Sequence, residues 1–293
     1  MALVTFLLLR AIPGDPALGL VGERADPAAV EAIRKELGVG RPLHVQFWGY
    51  LKLIASGNLG KSYYTKRDVA TDILEKFPNT LRLAFSAMAV AVIFGMLLGV
   101  LSAVTRGTYW EKLFSALALA GISLPVFWVG LVLMLIFAFI LPWLPPSGMG
   151  GGSIAYLILP AATLGLNSAA FVARITRMSL IEALSSQYIM TARAKGLSPL
   201  VVVAKHALRN ALIPVVTLVA IDFGSLLNGS VLTETIFGWD GLGRYALEGI
   251  MKRDYPVILG TVLAGSAVFV FFNTLADIAY AYIDPRIRYG RRD

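Results

Sequence analysis

Residues 83–104 read LAFSAMAVAVIFGMLLGVLSAV, a run without one charged side chain. A bilayer core about 30 Å thick is crossed by about 20 predominantly apolar residues in helix, so this run is long enough to span a membrane. Ala87, Ala91, Gly95, Gly99 and Ala103 recur in it every four residues. That spacing lines small side chains along one helix face, where a second helix approaches closely. The stripe serves either packing within this chain or a contact with another subunit.

Working outward, four further stretches meet the same requirement: 113–141, 154–173, 211–232 and 257–283. Residues 1–12 are also apolar, but at 1.5 Å per residue they reach only about 18 Å. They carry neither the basic start nor the small-residue cleavage site of a signal peptide. They are expected to be the outer end of a truncated first span. The fold class is therefore an all-α integral membrane protein of about six transmembrane helices. Composition agrees: 57% of residues are hydrophobic, 15% are charged, and mean hydropathy is +0.72. Soluble domains carry roughly 45–50% apolar and about 25% charged residues. There is no cysteine, and the two histidines, His44 and His206, lie far apart in sequence. Disulfides, thiolate catalysis and a metal site built by this chain are not expected.

Short loops rich in Lys and Arg mark the cytoplasmic side. One face carries Arg106 and Lys112, then Arg174, Arg177, Arg193, Lys195, Lys205 and Arg209, then Arg286, Arg288, Arg291 and Arg292. The other face has no Lys or Arg in 142–153, and three against four acids in 233–256. The segment 13–79 is too long to vote. The expected division is 1–12 as the end of the first span and 13–79 as a large extracytoplasmic segment. A transmembrane core follows over 80–283, with a cytoplasmic loop at 174–210, and 284–293 is a basic cytoplasmic tail. Both termini are then cytoplasmic.

In the outer segment, Asp26-Pro27 before an apolar-periodic stretch and Gly38 after it predict a short capped helix. Residues 55–62, ASGNLGKS, approach the phosphate-binding pattern G-x-x-x-x-G-K-[ST], with Ala55 where the first Gly belongs. A phosphate loop follows a buried strand and opens a helix. Here residues 45–54 look helical, and Tyr63-Tyr64-Thr65-Lys66-Arg67 is a poor helix start. Nucleotide binding is not expected at this loop.

The most informative loop lies between the fourth and fifth spans: 188–199, YIMTARAKGLSP, and 205–214, KHALRNALIP. It predicts a short helix ended by Gly196, a turn at Ser198-Pro199, and a second helix entering the membrane. Gly tolerates the left-handed conformation of a helix C-cap, and a proline just beyond prevents continuation. By physics alone the loop is either a basic topology anchor or a lever that transmits motion from a soluble partner.

The residues themselves closely resemble the cytoplasmic signature of binding-protein-dependent ABC importer permeases, in the form used by the dipeptide/oligopeptide (peptide/nickel) branch. The resemblance covers nearly the whole chain. It includes 10–16 RAIPGDP, 57–62 GNLGKS, 159–165 LPAATLG, 234–237 ETIF, 241–244 GLGR, 253–256 RDYP and 284–288 DPRIR. Met190 departs from the pattern, and Arg209 replaces a proline of the broader signature. The resemblance implies a type I importer permease fold. It implies a subunit that forms half of a translocation path for di- or oligopeptides, with nickel chelates, glutathione or haem as the alternative cargoes. The implied partners are a second homologous permease, two cytoplasmic ATP-binding subunits and an extracytoplasmic substrate-binding protein. No cofactor, no catalysis and no nucleic acid are implied for this chain. Thr191, Ala192, Arg193, Ala194, Lys195 and Gly196 would form the ATPase-coupling helix, with His206 and Asn210 in the same loop.

Ionisable groups inside a span are functional candidates. Asp222, near Gly224 and Asn228, is mid-span. It either faces the translocation path with Asn228 or accepts hydrogen bonds from a neighbouring helix or the sister subunit. Asp277 sits near the end of the last span, where packing or anchoring is expected. The alternative, a self-sufficient secondary transporter, would need ionisable relays and usually an inverted repeat; the spans offer two candidate carboxylates and no convincing repeat. An intramembrane enzyme would need a nucleophile–base pair, and neither histidine lies in a span.

Overall fold

The computed structural model describes residues 2–11, 17, 26–37 and 40–283. Most of the 10–16 motif and all of 284–288 therefore lie outside the described residues, as do the side chains of Asn228 and Asp277. The described elements are α1 (Ala2–Ala11), α2 (Pro27–Leu37), α3 (Leu43–Ala55), α4 (Val69–Val104), α5 (Tyr109–Ser123), α6 (Val126–Met134), α7 (Ile154–Leu184), α8 (Gln187–Ala194), α9 (Leu208–Gly229), α10 (Val231–Ile236), α11 (Leu242–Lys252) and α12 (Tyr255–Ile283). A π-helical turn, Leu135–Ile140, extends α6, and another, Val202–Ala207, leads into α9. Four helical stretches are long and apolar enough to cross a membrane, and α5 with α6 forms a broken fifth.

The stripe on α4 packs inside the chain. A Cβ on Gly95 would lie 2.6 Å from the Cβ of Val172, and one on Gly99 would lie 2.6 Å from the carbonyl oxygen of Ala173. Gly165 of α7 returns the fit, since its Cβ would sit 2.5 Å from the carbonyl oxygen of Ala87. Only hydrogen atoms on both faces let the two backbones come this near. Leu83, Ala84, Ala87 and Ala91 of α4 join Leu157, Ala161 and Leu164 of α7 and Trp239 in the main core.

Three helices run past their expected ends. The helix of the second span starts at Val69, inside the segment 13–79, and holds Pro78 in its interior. Its 36 residues make it about 54 Å long, well over a bilayer core. α7 continues from the expected end at 173 to Leu184, so the loop at 174–210 begins as helix. α12 begins at Tyr255. Hydropathy reports the part of a helix that lies in lipid, and polar turns outside it carry no apolar signal.

The stretch 113–141, expected as one span, is bent by 106° between α5 and α6. Pro125 is the cause: it disfavours the α conformation in the residue before it. Leu124 is accordingly extended, at φ −89° and ψ 133°. The partners of the two pieces climb α7 in order. Arg177 pairs with Glu111, the Asn167 amide donates to the Gly121 carbonyl at 2.9 Å, and Gly130 packs on Thr163. Exposed Tyr109 and Trp110 flank the basic end and exposed Trp48 and Trp143 the other, as interfacial aromatic belts do.

α1 leans on the outer helices. Phe6 meets Phe47 edge-on at 5.3 Å, the Tyr50 hydroxyl donates to Thr5 Oγ1 at 3.1 Å, and Leu259 of α12 joins the cluster. α2 starts as predicted, its Ala28 N–H donating to Asp26 Oδ1 at 3.1 Å.

Candidate functional site

At the basic end, α8 lies against the ends of α4 and α7 and the entry to α9. Ile189 and Ala192, three residues apart and thus on one face, are buried with Ala103, Leu180, Ala183, Val202, Ala207 and Ala211. Thr191, Arg193, Ala194, Lys195 and Gly196 are exposed. The helix ends in a Schellman cap. The Leu197 N–H donates to the Ala192 carbonyl at 3.4 Å and the Gly196 N–H to the Arg193 carbonyl at 2.9 Å, with Gly196 at φ +76°. Pro199 then opens the next helix, as the Ser198-Pro199 turn predicted. Beside the exposed face of α8, Met190, Leu197, Leu200 and Val201 are exposed apolar side chains, Leu200 at 76%. His206 is half-buried in the π-helical turn and Asn210 is exposed on α9.

Asp222 belongs to a different place. It stands twelve positions beyond Asn210, about 18 Å along α9, so the fold does not bring it to the loop. Its side chain is half-buried, and Oδ2 is enclosed without a hydrogen-bond partner among the described residues. Gly224 packs against the Asn273 amide of α12. Asn210, Pro214, Ile221 and Ser225 form an exposed stripe along α9, with half-exposed Thr217 in line. The stripe carries three polar side chains, Asn210, Thr217 and Ser225.

The opposite end holds a polar clamp whose role sequence reading missed. Glu234 of α10 is fully buried. Its carboxylate accepts from Thr80 Oγ1 at 2.9 Å, Ser230 Oγ at 2.8 Å and the Arg244 N–H at 2.9 Å. Burial pushes this carboxyl upward, while the bonds from Arg244, Ser230, Thr80 and the Gly243 N–H pull it down. The GLGR motif is explained here: a Cβ on Gly241 would stand 2.6 Å from the Glu234 carboxylate, and one on Gly243 2.9 Å. Further links bind α4 to the α10–α11 region. Lys76 pairs with Asp240, Trp239 Nε1 donates to the Asn79 carbonyl at 2.9 Å, and the Tyr245 hydroxyl donates to Asp72 Oδ2 at 2.9 Å. The GNLGKS loop ends in this clamp, with Ser62 Oγ donating to Asp254 Oδ2 at 2.6 Å. The motifs were visible in sequence, but their mutual contact was not, since Ser62 and Asp254 are 192 positions apart.

Long apolar helices, an exposed basic lever-shaped loop at one end and a closed polar clamp at the other define a multi-pass helical membrane transport protein. The chain belongs to the family described as "Binding-protein-dependent transport system inner membrane component", whose profile matches residues 95–289, and the corresponding N-terminal family matches 1–84. It is thus a permease subunit of the inner membrane, of the binding-protein-dependent ABC importer class. It is 44% identical over 289 residues to the glutathione transport system permease protein GsiC of Salmonella paratyphi A (strain ATCC 9150 / SARB42), covering 99% of this chain and 94% of that one. The GsiC of Escherichia coli (strain K12) is 43% identical over the same extents. Among solved structures, an inward-facing MetNI methionine ABC transporter superposes with a TM-score of 0.62 at 20% identity, covering 72% of this chain and 96% of that chain. An amino acid ABC transporter solved with histidines gives 0.56 at 18% identity. The fold is therefore that of an ABC importer permease.

Proposed function

We propose that this chain forms half of a translocation path, that its basic end is cytoplasmic with both termini on that side, and that the 188–214 loop is the lever on which a cytoplasmic ATPase acts. The complete machine holds a second, homologous permease, two ATP-binding subunits that hydrolyse ATP, and an extracytoplasmic binding protein. The observation that carries this reading is α8 itself. It is anchored through Ile189 and Ala192, while Thr191 and Arg193 to Gly196 face outward beside the uncovered Leu197, Leu200 and Val201. An apolar patch set among Arg193 and Lys195 suits a protein groove, because water alone leaves that patch unpaired.

The cargo is a short peptide, and glutathione is the specific candidate supported by the GsiC similarity. The outward stripe of α9 with Asn210, Thr217 and Ser225, and Asp222 beside it, supports placing α9 along the path, since polar groups within a span face water or protein. Asp222 then attracts the cargo's amino group.

The test is co-purification and vesicle uptake. Ala194→Glu and Gly196→Val should insert normally, yet lose the ATPase subunits on washing and lose uptake. Lys195→Ala should be mild, an exposed charge being worth little. Full uptake with bulk at both Ala194 and Gly196 would return the loop to a topology anchor. Mass spectrometry of the ligand retained by the native binding protein decides the cargo. A thiol tripeptide or other short peptide supports the assignment, and a nickel chelate or haem replaces it.

A further inference from the structure

A cavity of about 220 Å³ opens between α4, α5 and α7 near the basic end. Its lining is graded. Leu98, Ile122 and Ala170 wall the part deeper in the bundle, and Ser102, Arg174 and Arg177 the part nearer the loop. Phe114, Ala118 and Leu119 form the α5 side, and α5 has no buried residue anywhere along its length. The cavity therefore opens to whatever surrounds the bundle.

The charge at its mouth is unbalanced. Arg174 and Arg177 line it, Arg106 and Lys112 lie beside the start of α5, and Glu111 is the one acid on α5. Glu111 is committed, accepting from Arg177 and from the Gly107 N–H at 2.6 Å. Even so, the Nε of Arg177 is enclosed with no hydrogen-bond partner among the described residues. A guanidinium N–H left unpaired is unfavourable, so the Glu111 pairing does not satisfy Arg177 in full.

We propose that this cavity binds an anionic phospholipid, its phosphate beside Arg174 and Arg177 and one acyl chain against Leu98, Ala118 and Ile122. An amphiphile matches a cavity that is cationic at one end and apolar at the other. Basic pockets between membrane helices recognise acidic headgroups in this manner. A second protein chain fits less well, because the cluster presents only cations beyond the Glu111–Arg177 pair. A lipid seated here would bridge the broken α5–α6 span to α7, supporting a helix that packs weakly by itself.

The probe is phosphatidylglycerol, added to the detergent-purified assembled complex and followed by native mass spectrometry. Phosphatidylcholine with the same chains, and inorganic phosphate, serve as controls. Phosphatidylglycerol should be retained and phosphatidylcholine should not, and phosphate should fail to compete. Arg174→Gln should cut retention by about fivefold, as expected for one interfacial cation. Ala118→Phe, which fills the apolar end and leaves every charge in place, should cut it at least as much. Arg174→Lys should restore it. Equal retention of phosphatidylcholine, competition by free phosphate, a second permease found covering α5, or undiminished binding in Ala118→Phe would each overturn the proposal. Should Arg174→Gln fail to assemble, Ala118→Phe decides alone.

Discussion

Ser62 Oγ and Asp254 Oδ2 meet at 2.6 Å and join the loop before α4 to the start of α12. The same oxygen accepts the Tyr63 N–H at 3.1 Å, while Ser62 Oγ also caps the turn by accepting from the Tyr64 and Thr65 N–H groups. A loop that resembles a phosphate cradle is thus a structural knot whose anion is a carboxylate of its own chain.

That relationship separates Ser62 from Lys61. Ser62→Ala leaves a buried carboxylate with one donor fewer and should cost about 1–3 kcal/mol, read as a lower melting temperature of the solubilised chain. Lys61 is exposed, and Lys61→Ala should change neither the melting temperature nor the ATPase rate of the assembled complex. A severalfold loss of hydrolysis with assembly intact would revive the nucleotide reading.

Glu234→Ala removes the acceptor for Thr80, Ser230, Arg244 and Gly243 together and should destabilise by about 3 kcal/mol or more. The pH dependence has a sign. The folded carboxyl is raised above its ordinary 4.5, so its favourable contribution is complete below that value and is lost as pH rises through the raised one. Acidification from neutral pH toward pH 4.5 should therefore raise stability. In thermal melts, wild-type stability minus that of Glu234→Gln should fall as pH rises above 4.5; a difference that grows with pH refutes the assignment.

Gly95→Ala and Gly99→Ala place a methyl against unyielding neighbours, the Val172 Cβ and the Ala173 carbonyl, each at 2.6 Å. Separation of α4 from α7 should cost about 1–3 kcal/mol apiece. Gly224→Ala should be milder, because its nearest neighbour at 3.2 Å is the movable Asn273 amide. Equal losses at all three positions would show that the stripe does not set the α4–α7 distance.

Absence of native cysteine makes the orientation directly measurable. Ser56→Cys should react with an impermeant thiol reagent in intact cells of a strain with a permeable outer membrane. Ser198→Cys, in the exposed turn after α8, should react only after lysis. The reverse pattern inverts the topology.

The sequence by itself determined where apolar helix lies, that Ala87 to Ala103 form a close-packing face, and that Gly196 ends α8 in a left-handed cap. These are local properties: hydropathy, four-residue spacing and backbone sterics each act within a turn or two of helix. The Asp26 cap and the Ser198-Pro199 turn were legible for the same reason. Only the tertiary structure decided that the stripe faces α7 and not another subunit, because a face does not name its partner. It also decided that Leu124 and Pro125 turn one span through 106°, since a proline in a membrane helix is tolerated or bent according to what surrounds it. The same holds for Glu234 with Thr80, Ser62 with Asp254, and Arg177 with Glu111. Their energies depend on burial and on donors brought from 154, 192 and 66 positions away, and no spacing along the chain records such a meeting.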